Sequence, residues 1–466
     1  MFYDFVSVIN GVLWGQVLVY LLIAVGVWFS ARLGLIQLRS FKHMFSLLRN
    51  SRRADNQGIS SFQALCTSLS ARIGTGNLAG VAIAITVGGP GAVFWMWVIA
   101  LLGMATGFAE SLLAQVYKVR DSSGEFRGGP AYYIRQGLKR PYLGMLFSIS
   151  LLFGYGFVFS ATQTNTIVDA LNHSYQFPVI GSAAVITLFA GVIVMGGLRS
   201  IARFCELVVP IMGVGFVLVA VSISIINIAQ LPELLLTIVK SAFGWQEAGA
   251  GTFAAALKNG IQCGLYSNEA GAGSVPQAAA SASPHPNHPA SQGYIQMLGV
   301  FLDTIIVCSC TAFVIMLAGG ASSPEMEGIR LTQRAMTEHL GAYGGDFVAV
   351  TIALFGFTSV VANYAYAESN LHFFKLDNKT GRGLFTIIFL TMMFSGSLLE
   401  LKVIWALADM AFGLMAVINV IALICLSKTV IAVTRDYQAK QITGKVMAFK
   451  RVDCDIQGDF EDDIWK

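Results

Sequence analysis

The chain has 466 residues, 55% of them hydrophobic and only 12% charged, with a mean hydropathy of +0.66. Soluble domains carry roughly 25% charged residues, so this composition excludes a water-surrounded globular body and leaves lipid as the main solvent. The net charge of +4 is too small to suggest nucleic acid as a partner, and the seven cysteines, mostly inside apolar runs, form no disulfide framework.

A bilayer core of ~30 Å needs about 20 apolar residues per helix. Eleven runs of that order follow one another, at 12–31, 62–87, 91–117, 142–170, 179–197, 205–229, 250–280, 294–319, 346–368, 383–399 and 403–429. Helix is their lipid-stable form, because strands would show ten-residue alternation. The first run has its positive flank behind it (Arg32, Arg39, Lys42), the reverse of a secretory leader. Between spans 1 and 2, Leu35, Leu38, Phe41, Phe45 and Leu48 recur at helical spacing opposite Arg39, Lys42 and Arg49. That pattern fits an amphipathic helix at the membrane interface, or a plain connector.

Span 2 holds Ser70-Ala-Arg-Ile-Gly-Thr-Gly-Asn77 between apolar stretches. Glycine, threonine and asparagine at mid-span are weak helix formers, and a membrane helix unwinds there only if its freed backbone faces a polar cavity. The second half-helix then turns N–H groups toward an anion, and the first turns carbonyls toward a cation. A small-residue packing face is the plainer alternative. Span 4 adds Gln163, Thr164 and Asn165, and Glu110 and Asp303 read as structural carboxylates paired inside the bundle. Span 7 repeats the break with Gly264-Leu-Tyr-Ser-Asn-Glu-Ala-Gly-Ala-Gly273. Its Glu269, a carboxylate at membrane depth, is a candidate for coupling or gating together with Arg72, or simply that arginine's internal partner. Spans 2 and 7 each open a set of five, and interrupted helices at equivalent places in two halves point to a secondary transporter. His285 and His288 sit in a proline-punctuated loop without thiolate or carboxylate neighbours, a poor metal site. Span 9 contributes Thr358, Ser359 and Asn363 at mid-depth. The tail, charged and broken by Gly444 and Gly458, reads as a solvated extension.

Of the 30 basic residues, 24 fall in the loops after spans 1, 3, 5 and 9 and in the tail. By the positive-inside rule those segments are cytoplasmic, with the N-terminus outside and the C-terminus inside. The expected organisation is an extra N-terminal transmembrane helix (1–33), an interfacial segment (34–61), two five-span sets (62–229 and 250–429) and a cytoplasmic tail (430–466). No nucleotide-binding loop or nucleophile elbow is present, so an enzyme is not expected and uphill transport would draw on an ion gradient. No signalling domain suggests a sensor, and no continuous polar stripe suggests a channel.

The run Gly88-Gly-Pro-Gly-Ala-Val-Phe-Trp-Met-Trp-Val-Ile-Ala-Leu-Leu-Gly103, with Gly74-Thr-Gly-Asn77, Ser267-Asn-Glu-Ala-Gly271 and Phe301-Leu-Asp-Thr-Ile-Ile-Val-Cys308, resembles the conserved blocks of the bacterial and archaeal alanine or glycine:cation symporters. The resemblance runs from about Leu13 to Lys428. It implies an all-α polytopic membrane protein of the LeuT type, five plus five helices in inverted repeat after one extra helix. It also implies sodium- or proton-coupled uptake of small neutral amino acids through the cell's inner membrane, with no obligatory protein partner. Tyr266 stands where members often carry phenylalanine, and His288-Pro-Ala-Ser-Gln-Gly293 lacks a basic residue expected before its glutamine.

On this reading the substrate carboxylate meets Thr75, Gly76 and Asn77, its ammonium faces Gln163, Tyr266 and Asn268, and Phe357 helps to wall the pocket. Sodium is a hard cation and takes oxygen ligands. The break supplies the carbonyls of Ser70 and Ile73, and the resemblance places the hydroxyls of Thr358 and Ser359 opposite. A proton carried by Glu269, or another substrate such as glutamine or serine, is the alternative.

Overall fold

The computed structural model describes residues 2–53, 58–245, 253–319, 328–444, 446–461 and 463–465. Its main helices, in chain order, are α1 (Tyr3–Arg32), α2 (Phe41–Asn50), α3 (Ser61–Arg72), α4 (Gly76–Gly88), α5 (Gly91–Val116), α6 (Pro130–Gly137) and α7 (Pro141–Tyr175). There follow α8 (Val179–Val194), α9 (Gly197–Ile226), α10 (Leu231–Ala242), α11 (Phe253–Asn268), α12 (Val275–Ala280) and α13 (Pro289–Leu317). The last five are α14 (Ile329–Leu340), α15 (Tyr343–Ser369), α16 (Lys379–Gly396), α17 (Leu401–Cys425) and α18 (Ser427–Thr443).

Seven helices among the described residues are long and apolar enough to cross a membrane, and the α3–α4 pair, bent by 49°, makes an eighth. The other expected spans are shorter or more polar. Helix α8 has 16 residues, α16 opens with Lys379 and Arg382, and the seventh run is divided into α11 and α12. Helix α1 begins about nine residues before its apolar run at 12–31, since Tyr3–Gly11, apolar apart from Asp4, Ser7 and Asn10, continues the same helix.

The lipid-facing surface follows from composition. Ile180, Leu188 and Val192 of α8 and Leu207, Ile211, Leu218 and Ile225 of α9 are exposed, and so many large apolar side chains on the outside suit hydrocarbon rather than water. The segment between the first two spans packs one side on the bundle and leaves large apolar side chains on the outside. In α2, Met44 and Leu47 are buried and the Phe41 ring lies edge-on to Phe301 at 5.0 Å, while Phe45 and, ahead of the helix, Leu35 and Leu38 remain exposed.

One end of the bundle gathers the basic loops. A short hairpin, β1 (Val119–Arg120) against β2 (Phe126–Arg127), follows α5. From it Arg127 bonds Asp121 at 2.9 Å, Glu125 at 3.1 Å and Glu368 at 3.0 Å, while Arg382 reaches Asp121 at 3.2 Å and Arg199 reaches Glu125 at 3.4 Å. The loops after the third, fifth and ninth apolar runs are thus on one face, as the charge asymmetry requires.

The tail departs from the solvated extension expected of it. Trp465 donates its indole N–H to Gln115 O at 2.9 Å, Tyr117 Oη donates to Gln457 O at 2.6 Å, and Phe460 stacks on Tyr117 at 5.1 Å. Two aromatic residues of this charged segment, Phe460 and Trp465, help to anchor it, and an average over its composition hides them. Helix α18 likewise buries Val430, Val433 and Tyr437.

Candidate functional site

Helix α3 is fixed at its start by a reciprocal cap, Ser60 Oγ accepting from Gln63 N and Gln63 Oε1 accepting from Ser60 N. It ends at Ile73, whose ψ of 89° leaves the helical region, and the chain resumes as a π-helical turn at Gly76–Gly80. The weak helix formers at 74–76 allow the interruption, and tertiary bonds hold it. Gly74 N donates to Asn77 Oδ1 at 3.0 Å and Thr75 N to Gln163 Oε1 at 3.0 Å. The second break follows Asn268. Glu269 takes φ 57° and Gly271 φ 88°, a left-handed backbone that glycine adopts freely and other residues only at a cost of about 1–2 kcal/mol. Ser274 Oγ donates to Glu269 Oε2 at 2.7 Å and Gly271 N donates to Glu110 Oε2 at 3.2 Å, so the strained turn is held at both ends.

The two breaks adjoin. A β-carbon at position 76 would stand 3.3 Å from Tyr266 Cδ1 and 3.4 Å from Ser267 Cα, so glycine lets the backbones of α4 and α11 approach. Between them lies a small pocket of about 10 Å³, lined by Ala71, Arg72, Gly76, Tyr155, Phe159, Gln163, Tyr266, Glu269 and Asn363. That is space for about one water, so the structure is shut around its centre. Nε and Nη2 of Arg72 are buried without partners among the described residues, and such groups are costly unless something completes them. Two of the surrounding helices carry further π-helical turns, Gly154–Val158 beside Tyr155 and Phe301–Cys308 around Asp303, an irregularity often found at functional sites.

Below the pocket the end of α3 meets α15. Ser359 Oγ lies 2.7 Å from Ser70 O and 3.3 Å from Ile73 O, while Ser70 Oγ donates to Thr358 O at 2.8 Å. This cluster of carbonyl and hydroxyl oxygens has the chemistry of a sodium site. The Thr358 hydroxyl is turned away from it, donating to Phe355 O at 2.9 Å beside the Met212 sulfur at 3.7 Å.

The sequence-derived residues therefore separate. Gly76, Gln163, Tyr266, Arg72 and Glu269 meet at the pocket, Thr75 touches it through its N–H to Gln163, and Ser70, Ile73 and Ser359 form the oxygen cluster with the Thr358 carbonyl. Asn77 faces away. Its Nδ2 donates to Asp303 Oδ1 at 2.7 Å, and Asp303 Oδ2 also accepts from Ser267 and Thr304 at 2.7 Å each. Asn268 Oδ1 accepts from Ala270 N at 3.0 Å within its own turn, and half-buried Phe357 packs edge-on to Phe204 at 5.9 Å. Arg72 and Glu269 share the pocket without an ion pair; Arg72 Nη1 instead donates to Gln296 O at 3.4 Å. Glu110, beyond the Gly271 N–H, accepts from Asn419 Nδ2 at 3.0 Å. Sequence reasoning missed Tyr155 and Phe159, although they precede Gln163 by eight and four residues, a spacing that puts them on its side of the helix. No cluster of potential metal-ligating side chains occurs among the described residues, and His288 is engaged with Asp436 at 3.1 Å.

A sequence model described as the sodium:alanine symporter family matches residues 1–451. The amino-acid carrier protein AlsT of Bacillus subtilis is 43% identical over 96% of this chain and 95% of its own length. The probable sodium/glutamine symporter GlnT of the same organism is 41% identical over 95% and 92%. The sodium/alanine symporter AgcS of Methanococcus maripaludis is 35% identical over 93% and 97%. Among solved structures, a manganese transporter mutant from Eremococcus coleocola superposes with a TM-score of 0.50 at 14% identity, covering 78% of this chain and 79% of that one, a likeness of fold.

Proposed function

From the membership of this chain in the sodium:alanine symporter family, a family of sodium-coupled membrane transporters and not of enzymes, we propose that it takes up small neutral amino acids, alanine or glycine, with sodium by alternating access. The observation that carries this reading is the pocket where the two broken helices meet, closed to about 10 Å³ and lined by the carboxylate of Glu269 and by Arg72, whose Nε and Nη2 have no partner among the described residues. Opposite charges across a desolvated pocket suit a zwitterion. The Arg72 N–H groups and the start of α4 at Gly76 serve the substrate carboxylate, and Glu269, Gln163 and the face of Tyr266 serve its ammonium. The close approach of Gly76 to Tyr266 leaves room for a small side chain only. A pocket this small admits even alanine only if a wall moves, and such movement is what alternating access requires.

Sodium belongs at Ser70 O, Ile73 O and Ser359 Oγ. It would tie α3 to α15 and favour the arrangement that receives substrate, which is thermodynamic coupling. The 5+5 inverted repeat, eleven spans and an outside N-terminus complete the proposal, supported by the paired breaks and the single basic face. Glutamine is the second reading, favoured by the relative named for it at 41% identity.

Uptake of labelled alanine into proteoliposomes, with and without a sodium gradient and in competition with unlabelled amino acids, tests this. Alanine and glycine should compete best and only with sodium present. Stronger competition by glutamine supports the second reading, and uptake driven by a pH gradient without sodium rejects both.

A further inference from the structure

A second and larger cavity, of about 160 Å³, lies beyond Tyr266 on the side away from the C-terminal tail. It is lined by Asn259, Gln262, Cys263 and Tyr266 of α11, by Trp405 and Asp409 of α17, and by an apolar wall of α4 at Gly80, Ile83 and Ala84. Helical periodicity explains the pairing. Lys258, Gln262 and Tyr266 recur every four residues, and Trp405, Asp409 and Phe412 every three or four, so each set runs along one helix face. Tyr266 borders both this cavity and the pocket at the breaks, its ring 5.1 Å from Trp405 and 5.5 Å from Phe159. Anything passing from the larger space to the smaller one must displace it.

Asp409 is a carboxylate inside an apolar spanning helix, an expensive placement that marks function. Among the described residues no ion pair neutralises it. Gln262 Nε2 donates to its Oδ2 at 2.8 Å, and Trp14 bonds only its backbone carbonyl, at 3.2 Å. The indole N–H of Trp405 beside it is buried and has no partner among the described residues. Exposed Lys258 lies one helical turn outward from Gln262. The cavity thus has a carboxylate and two aromatic rings in its lining, with the exposed Lys258 one helical turn outward from Gln262.

We propose that this cavity is a staging site for the incoming small amino acid, with the Asp409 carboxylate holding its ammonium group, Trp405 and Tyr266 covering it, and Lys258 drawing its carboxylate. The chemistry recognised is a primary ammonium on a small zwitterion, which gains from both the carboxylate and the neighbouring π faces. Substrate collected there waits directly above the aromatic ring that separates it from the central pocket. This rests on the amino-acid transport proposed above and adds a site that the central pocket does not need.

The test is initial-rate alanine uptake by the full-length protein in proteoliposomes, with propylammonium as a probe that carries the ammonium and lacks the carboxylate. External propylammonium should inhibit the wild type competitively. Asp409→Asn, which keeps an acceptor for Gln262, should raise the KM for alanine about tenfold, leave kcat within about twofold and abolish that inhibition; a tenfold change is about 1.4 kcal/mol. Asp409→Glu should restore inhibition. Wild-type uptake insensitive to propylammonium overturns the proposal without any variant, and so does an Asp409→Asn protein with unchanged KM. A shift in sodium half-saturation in place of alanine KM overturns it in favour of a cation site. Failure of the wild type to take up alanine at all counts against the transport reading instead.

Discussion

The hydroxyl of Ser359 stands 2.7 Å from the carbonyl oxygen of Ser70, close enough that a side chain of α15 closes the end of the broken helix α3. The same hydroxyl lies 3.3 Å from Ile73 O, and Ser70 answers by donating its own hydroxyl to Thr358 O at 2.8 Å. The two elements share a ring of oxygens whose shape depends on both.

Ser359→Ala should raise the sodium concentration for half-maximal uptake by about tenfold or more, while substrate affinity at saturating sodium changes little; tenfold is about 1.4 kcal/mol. Thr358→Ala should shift it less, because that hydroxyl donates to Phe355 O and only the carbonyl joins the ring. Sodium titrations of uptake check the ranking, and a larger effect at Thr358 would place the ion elsewhere.

Gln163 Oε1 receives the N–H of Thr75 at the point where the chain re-enters helix. Gln163→Ala leaves that buried N–H unmet, a penalty of about 1–3 kcal/mol, and removes part of the pocket lining. Uptake should fall at least tenfold. Gly76→Ala should also suppress uptake by pressing a methyl against Tyr266, and to hurt glycine less than alanine, which the ratio of the two uptake rates measures.

Asn77 joins Gly74 N to Asp303 Oδ1, so its amide spans two helices and does not reach the pocket. Asn77→Ala removes a hydrogen bond to a buried carboxylate, worth roughly 1.5–3 kcal/mol. The thermal midpoint in detergent should drop together with uptake. Full loss of uptake with an unchanged midpoint would return Asn77 to the substrate.

His288, just before α13, is fully buried, and burial pushes its pKa down to about 4 although Asp436 beside it pulls the other way. The folded value lies below the unfolded one, so the unfolded chain binds the extra proton between them. The stability this neutral histidine contributes is complete above about pH 6.5 and is lost as pH falls toward 4, by ~3 kcal/mol at most. Melting curves at pH 7 and pH 5 should differ, and His288→Gln should flatten the difference. A pH-independent wild type would place the proton elsewhere.

The amino-acid sequence determined the solvent of this protein and the places where its helices fail. Both are local properties: long apolar runs read as spans one at a time, and Gly74-Thr-Gly76 and Glu269–Gly273 weaken helix wherever they occur. The charge asymmetry is a sum over loops, and the hairpin, the Arg199 loop and the Glu368–Arg382 loop do share one face. Which way a side chain points at a break is not local. Asn77 looks like a pocket residue beside Gly76, yet Asp303, 226 positions away, takes its amide. Tyr155 and Phe159 stand at four-residue spacing before Gln163, but that all three line the pocket depends on how α7, with its π-helical turn, packs against the breaks. Asp409 gains meaning only opposite Gln262 on another helix. In lipid a buried polar group finds its partner across the bundle, since no water competes for it, and only the packing of distant helices decides which partner that is.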